Sequence, residues 1–288
     1  MADAQKFVKV FGERNTGTRA IIRMLSAQPE VRMQPVGEVG ALNLPENSDL
    51  RAKIDATYKG NWRKIYHDAV RDNEQAQACP TKAWKHARPV WDDAYRHKQA
   101  HVIFCVRNPY SWALSLFRRP YHQKGPTSKQ MRDFVVQPWL TVSRDNMPAV
   151  LNSPIELWTG KVAAYRKFME QADIPVKAIR FEGFVASPDV ELRRILAELG
   201  VPFGDILRIP ASTKKPSRTL EEISEYYSRE DWKKYLTSDV VGAINALIDW
   251  ELAAQYGYYP LNPKDFPTRF TLKNSSRSHN LTMRSDSR

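Results

Sequence analysis

Short apolar runs alternate along the chain with longer stretches in which apolar residues recur every three or four positions. Phe7-Val8-Lys9-Val10-Phe11 reads as a strand that ends at Gly12, and Ile21, Ile22 and Leu25 share one face of a helix over Thr18 to Ala27. Val31 to Val36 predicts a second strand, bounded by Pro29-Glu30 and Gly37. Residues 43–78 form a polar excursion with a helix around Trp62 to Val70, and Thr81 to Lys85 reads as a further strand. The clearest strand is His101-Val102-Ile103-Phe104-Cys105-Val106, which runs straight into Arg107-Asn108-Pro109. Asn108 suits an N-cap and Pro109 a first helical residue, with Trp112, Leu116 and Phe117 as the buried face of the helix that follows.

Further on, Ile155, Trp158, Val162, Tyr165 and Met169 mark a long helix by their three- and four-residue steps. Val176 to Phe181 is a strand, and Leu192, Ile195, Leu196 and Leu199 mark a helix closed by Gly200. A last helix is expected from about Val240 to Tyr256, stopping at Gly257. Strands alternating with helices predict an α/β fold, a single domain with a central, mostly parallel sheet flanked by helices. No internal repeat divides it. The domain is expected over residues 1–272, with 273–288 a basic, Ser-rich, disordered tail.

Composition narrows the function classes. Hydrophobic residues make up 42% of the 288 and charged residues 26%, so the chain is globular rather than disordered. No apolar run of the length needed to span a membrane is present, and the N-terminus reaches its first strand without room for a signal peptide, so a cytoplasmic location is expected. Only two cysteines, Cys79 and Cys105, occur, which indicates neither a disulfide framework nor a thiolate zinc site. His97 and His101 stand at i, i+4 spacing without the Glu of a His-Glu-x-x-His metallohydrolase, and no metal site is expected.

Charge changes the picture more. Lys+Arg 44 against Asp+Glu 32 gives a net +12, a field that concentrates anions. The loop Gly12-Glu13-Arg14-Asn15-Thr16-Gly17-Thr18-Arg19 follows a strand and opens a helix, where backbone N–H groups and the helix dipole hold phosphate or sulfate. Its Gly-x-x-x-x-Gly spacing matches a P-loop. Thr18 and Arg19, however, stand where a nucleoside-triphosphate site wants Lys and then a magnesium-binding Ser or Thr. At the second strong strand, Arg107 occupies the end, with Ser111 and Ser115 one turn apart on the next helix. An Arg there suits a direct, bidentate grip on an anion. Two anion sites at two strand-to-helix junctions suit a nucleotide with separated anionic groups.

These motifs resemble those of the sulfotransferases that use 3'-phosphoadenosine 5'-phosphosulfate (PAPS). Gly12 to Arg19 resembles the family's 5'-phosphosulfate loop in its Gly-Thr-Arg form, and Arg107 to Ser115 its 3'-phosphate motif, an Arg followed eight residues later by a Ser. Arg180-Phe181-Glu182 through Leu199-Gly200-Val201-Pro202 resembles the next strand and helix. The resemblance implies a P-loop-NTPase-like sulfotransferase fold, sulfuryl transfer to a hydroxyl or amine of a small-molecule or glycan acceptor, and no metal. It implies that Arg14, Asn15, Thr16, Gly17, Thr18, Arg19, Arg107 and Ser115 bind the donor. Asn15 stands where many members carry a Lys, so Arg14, Lys82 or Lys85 is expected to supply that cation. Two residues compete as base: His86 in Trp84-Lys85-His86, ahead of Arg107, and Glu38 in Pro35-Val36-Gly37-Glu38-Val39, just past the second strand. Lys214 and Lys215 read as a solvated loop rather than a lid.

Two other classes stand against this one. A P-loop kinase or ATPase is disfavoured by Thr18 and Arg19, and a nucleic-acid-binding protein is suggested only by charge, with no recognised binding motif to support it. Most of the eight Trp are expected in the core, and the sequence sets no oligomeric state.

Overall fold

In a computed structural model, residues 6–33, 48–78, 84–97, 99–123, 125–198, 200 and 219–269 are described. Glu38, Cys79, Lys82, Lys214, Lys215 and the basic tail lie outside them. The chain opens with β1 (Lys6–Gly12), α1 (Thr18–Leu25) and β2 (Val31–Met33), then two helices, α2 (Ser48–Thr57) and α3 (Gly60–Ala78). The short α4 (Asp93–His97) leads to β3 (His101–Val106) and α5 (Pro109–Arg118). Next come α6 (Met131–Phe134), β4 (Trp139–Leu140), a 3-10 turn at Ser143–Asp145, and β5 (Val150–Leu151). The long α7 (Ile155–Gln171), β6 (Val176–Arg180), α8 (Phe181–Ala186) and α9 (Pro188–Glu198) follow. After them stand α10 (Leu220–Ser228), α11 (Ser238–Leu247) and α12 (Trp250–Ala254).

The central sheet has the order β2-β1-β3-β6, and every pairing in it is parallel. Burial on both faces explains why β3, the one strand of the sheet buried along its whole length, reads as an apolar run. Along β3, Val102, Phe104 and Val106 pack with α5, α7, α11 and α12 on one face, while Ile103 and Cys105 pack with α1, α8 and α9 on the other. The predicted α/β class holds. Five of the eight Trp (Trp84, Trp112, Trp139, Trp158 and Trp232) are buried, and Trp62 on α3 is 66% exposed.

Local chemistry sets the helix boundaries near the site. Asn108 caps α5, its side chain accepting from the N–H groups of Tyr110 and Ser111, with Pro109 next in line. Two expectations change. Trp84, Lys85 and His86 form a turn closed by Ala87 N–H donating to the Trp84 carbonyl at 2.8 Å, not the end of a strand. β2 pairs with Lys6–Val8 and β3 with Val8–Gly12, and Lys85 meets β1 through its carbonyl, which accepts the Gly12 N–H, a contact that is not extended into a strand among the described residues. The single helix expected over 240–256 is broken at Ile248, whose backbone is extended, and Asp249 caps α12 by accepting from Leu252 N–H at 2.9 Å.

Since β1 is followed in the chain by its neighbour on one side and later by β3 on the other, the connections reverse direction between β1 and β3. In open parallel sheets the crevice at the carboxyl ends of such a strand pair is where ligands bind. Gly12 lies opposite Cys105 in the register, so the glycine loop leaves β1 at the level where β3 runs out into Arg107. Val106 in turn lies opposite Arg180, which puts the start of α8 at the same end.

Candidate active site

Loop 12–17 is fixed from below by its carbonyl groups. The Gly12 carbonyl faces Nδ1 of His86 at 2.6 Å, and that of Glu13 takes Thr16 Oγ1 at 2.6 Å and Thr16 N–H at 3.2 Å. The Arg14 carbonyl accepts from the Trp112 indole at 3.1 Å, and the Asn15 carbonyl from Arg107 Nη1 at 2.6 Å. Four successive carbonyl oxygens are thus engaged within the protein. The N–H groups of Thr18 and Arg19, in the first turn of α1, have no acceptor within their own helix.

Both glycines of the loop are needed where they stand. A Cβ on Gly12 would lie 2.5 Å from Thr16 Oγ1, 2.6 Å from Thr18 Cγ2 and 2.8 Å from Cys105 Cβ. Gly17 has φ +83°, and a Cβ there would lie 3.0 Å from the Phe181 ring. Asn15, at φ 68°, takes the other left-handed position of the loop.

Arg107 is buried between two rings. Its guanidinium lies 4.7 Å from the Phe181 ring centroid and 5.0 Å from that of Tyr227 on α10. Nε donates to Ser111 Oγ at 3.0 Å, and Nη2 donates to the Ser111 carbonyl at 2.8 Å and to the Tyr227 hydroxyl at 2.7 Å. With Nη1 on Asn15, the structure brings the two sequence motifs into direct contact. Ser115 is half-buried one turn further along α5.

Arg14 takes a different position from a solvent-facing loop cation. Both its terminal nitrogens reach Asp145, at 3.0 and 2.8 Å, and Nη1 also reaches Glu13 at 2.8 Å. Lys161 of α7, at 0% exposure, completes a buried quartet by pairing with Asp145 at 2.6 Å and with Glu13. Burial alone would lower the Arg14 pKa, but Asp145 and Glu13 hold it above its usual range. Burial likewise pushes the Asp145 carboxyl up, and Arg14 and Lys161 override it and hold that group well below the ordinary carboxylate range.

Trp84 separates this quartet from a second buried cluster. Its ring lies 5.1 Å from the Arg14 guanidinium and 4.8 Å from that of Arg144. Arg144 donates to Asp68 and Asp72 of α3 at 2.8 and 2.6 Å, and its Nη2 lies 2.5 Å from His122 Nδ1. Successive residues of one 3-10 turn therefore serve different clusters, Asp145 the loop and Arg144 the α3 helix.

His86 stands at the rim of the loop. A carbonyl only accepts, so the ring carries its proton on Nδ1 toward Gly12 and keeps a lone pair on Nε2. Burial, then the Arg14 charge, lower its pKa well below the usual imidazole value, against the pull of the Gly12 carbonyl. Lys85 is half-buried, and its carbonyl accepts the Gly12 N–H at 2.9 Å. Arg19 is exposed at the start of α1. Glu38, the alternative base, lies outside the described residues.

Sequence reasoning missed Glu13, Asp145, Lys161 and Tyr227. Only Lys161 carried a signal: it falls beside Trp158, Val162 and Tyr165 in the apolar stripe of a helix, where a lysine needs a buried partner.

No family model matches the chain, and no curated protein does. Among solved structures it is similar to a sulfotransferase from Alicyclobacillus acidocaldarius, at 17% identity over 88% of this chain and 100% of that one, TM-score 0.38. It is also similar to the sulfotransferase domain from the curacin biosynthetic pathway, at 13% identity over 90% of this chain and 99% of that one, TM-score 0.43. A third is mouse sulfotransferase SULT7A1 complexed with PAP, at 14% identity over 98% of this chain and 86% of that one, TM-score 0.39. No helix among the described residues is long and apolar enough to cross a membrane.

Proposed function

We propose that the chain is a sulfotransferase that moves the sulfuryl group of PAPS to a hydroxyl or amine acceptor, carbohydrates among them. The observation that supports this reading is the Arg107–Asn15 contact, which sets the two strand ends assigned to anions side by side at the point where the sheet connections reverse. The glycine cradle fits a 5'-phosphosulfate, with the N–H groups of Thr18 and Arg19 and the positive end of α1 facing it. Arg107, with Ser111 and Ser115, suits the 3'-phosphate, whose oxygen would replace the Tyr227 hydroxyl on Nη2.

When bound, PAPS supplies an electrophilic sulfur whose bond to the bridging oxygen breaks as the acceptor attacks. The chain's part is to orient and to move one proton. Arg14 is held within the quartet, so Lys82 or Lys85 is the cation assigned to the leaving group, beside the fixed dipoles of the loop. His86, neutral and with Nε2 free of the Gly12 contact, is assigned as the base that takes the acceptor proton.

The test is direct. Protein incubated with PAPS labelled in the sulfuryl group should pass label to one member of a panel of phenols, lipids, small glycosides and acidic glycans. Calorimetry should show the 3',5'-bisphosphate product, PAP, binding in the micromolar range without magnesium. Magnesium-dependent ATP turnover with no PAP binding would replace this reading by a kinase or ATPase. Tight DNA or RNA binding with no PAP binding would replace it by a nucleic-acid-binding protein.

A further inference from the structure

The buried quartet joins three distant parts of the chain: Glu13 and Arg14 from the loop, Asp145 from the 3-10 turn, and Lys161 from α7. Its formal charges cancel, two against two, and burial makes each dependent on the others. The side chains of Glu13 and Arg14 both end there, and Arg14 N–H also donates to Glu13 Oε1 at 2.8 Å. A side-chain clamp at consecutive residues fixes the orientation of the peptide between them. That peptide leads into Asn15 and Gly17, the two left-handed positions that turn the chain into α1.

We propose that Lys161 and Asp145 are positioning residues for the anion loop, presetting its backbone before any anion arrives. They act through Glu13 and Arg14 and touch no ligand. Arg14 on this assignment is an internal strut, and the field that greets the anion comes from backbone N–H groups and Arg107. The inference rests on the sulfotransferase reading only for the identity of the anion.

The test compares Lys161→Met with Leu252→Ala, a core variant in α12 that lowers global stability without touching the loop. Amide hydrogen exchange is measured in the ligand-free proteins at the Arg14 and Thr16 amides, which donate to Glu13. In Lys161→Met their exchange should rise about tenfold or more, and PAP affinity should fall by a similar factor, while Leu252→Ala changes neither. Unchanged exchange in folded Lys161→Met overturns the proposal, as does an equal rise in Leu252→Ala. Should Lys161→Met fail to fold, Glu13→Gln/Lys161→Met keeps the cluster neutral around the Arg14–Asp145 pair. It should still raise exchange at Thr16 several-fold, and no rise there is equally fatal. If wild-type protein fails to bind PAP, the sulfotransferase reading falls and the exchange data alone decide the role of Lys161.

Discussion

His86 Nδ1 and the Gly12 carbonyl oxygen lie 2.6 Å apart, so one imidazole both pins the first peptide of the anion loop and carries the free nitrogen assigned to catalysis. The two roles separate by mutation. Asn at position 86 keeps an amide donor near the Nδ1 site and removes the base. His86→Asn should lose about 10²–10⁴-fold in kcat with PAP affinity retained. His86→Ala should lose affinity as well. Glu38→Gln, assayed beside them, should be mild; the reverse pattern would move the base to Glu38.

The pH profile follows from the same contact. Burial and Arg14 disfavour the imidazolium, so His86 stays neutral and competent as pH drops through the usual imidazole range. The acid limb of kcat should therefore lie below pH 6.5, the ordinary histidine value. An acid limb centred on that value, abolished in His86→Asn, would contradict the buried environment seen here.

Arg107 grips the loop at the Asn15 carbonyl and is also assigned to the 3'-phosphate. Arg107→Ala should weaken PAP binding by about 2–4 kcal/mol through loss of a charge-assisted partner. AMP, which lacks the 3'-phosphate, should also weaken, by about 1 kcal/mol, because the Asn15 carbonyl loses its donor. Calorimetry with both nucleotides reads the difference. Equal losses would mean that Arg107 only holds the loop.

Gly12→Ala forces a Cβ into contacts of 2.5 to 2.8 Å with Thr16, Thr18 and Cys105. Overpacking of this kind costs about 1–3 kcal/mol. The expected result is a lower Tm together with loss of PAP binding, because the displaced atoms belong to the cradle itself. Gly17→Ala should cost about 1–2 kcal/mol from its left-handed backbone. Retained PAP affinity in either variant would place the anion away from the loop.

Stability should fall in mild acid. Burial, and then Arg14, push the His122 pKa down to about 4, from 6.5 for an ordinary histidine. Between those values the unfolded chain takes up a proton that the folded one refuses, so stability is present above pH 6.5 and is lost as pH falls toward 4. His122 has φ 60°, which Asn tolerates, so His122→Asn removes the titration without straining the backbone. Thermal denaturation from pH 7 to 4.5 should show a shallower decline in that variant. Identical slopes would assign the acid sensitivity to other groups.

The middle of the sheet was legible because β3 is buried on both faces, so periodicity is not needed to find it, and it matches its expected span, His101 to Val106. The cap at Asn108 was equally clear, since its chemistry is local. Errors fell where tertiary contacts decide. Trp84 and Lys85 look like the end of a strand over Thr81 to Lys85, but Trp84 to His86 are spent on a turn, on Arg14 and on the Gly12 peptide. Asp249 interrupts an otherwise helical pattern by capping the next turn. At the site, Gly12, Gly17 and Arg107 declared themselves by spacing. Arg14 misled, because its partner Asp145 lies 131 residues away and no local pattern marks it.

That separation bears on attempts to move the loop. Segment 12–18 looks like a self-contained cassette, ready to graft onto any parallel strand followed by a helix. Transplanted alone, it would bring one carboxylate and one guanidinium into a foreign interior, with neither the lysine nor the aspartate that complete them. A working graft must carry positions 145 and 161 as well, so the transferable unit is a spatial patch drawn from at least three segments rather than a stretch of sequence.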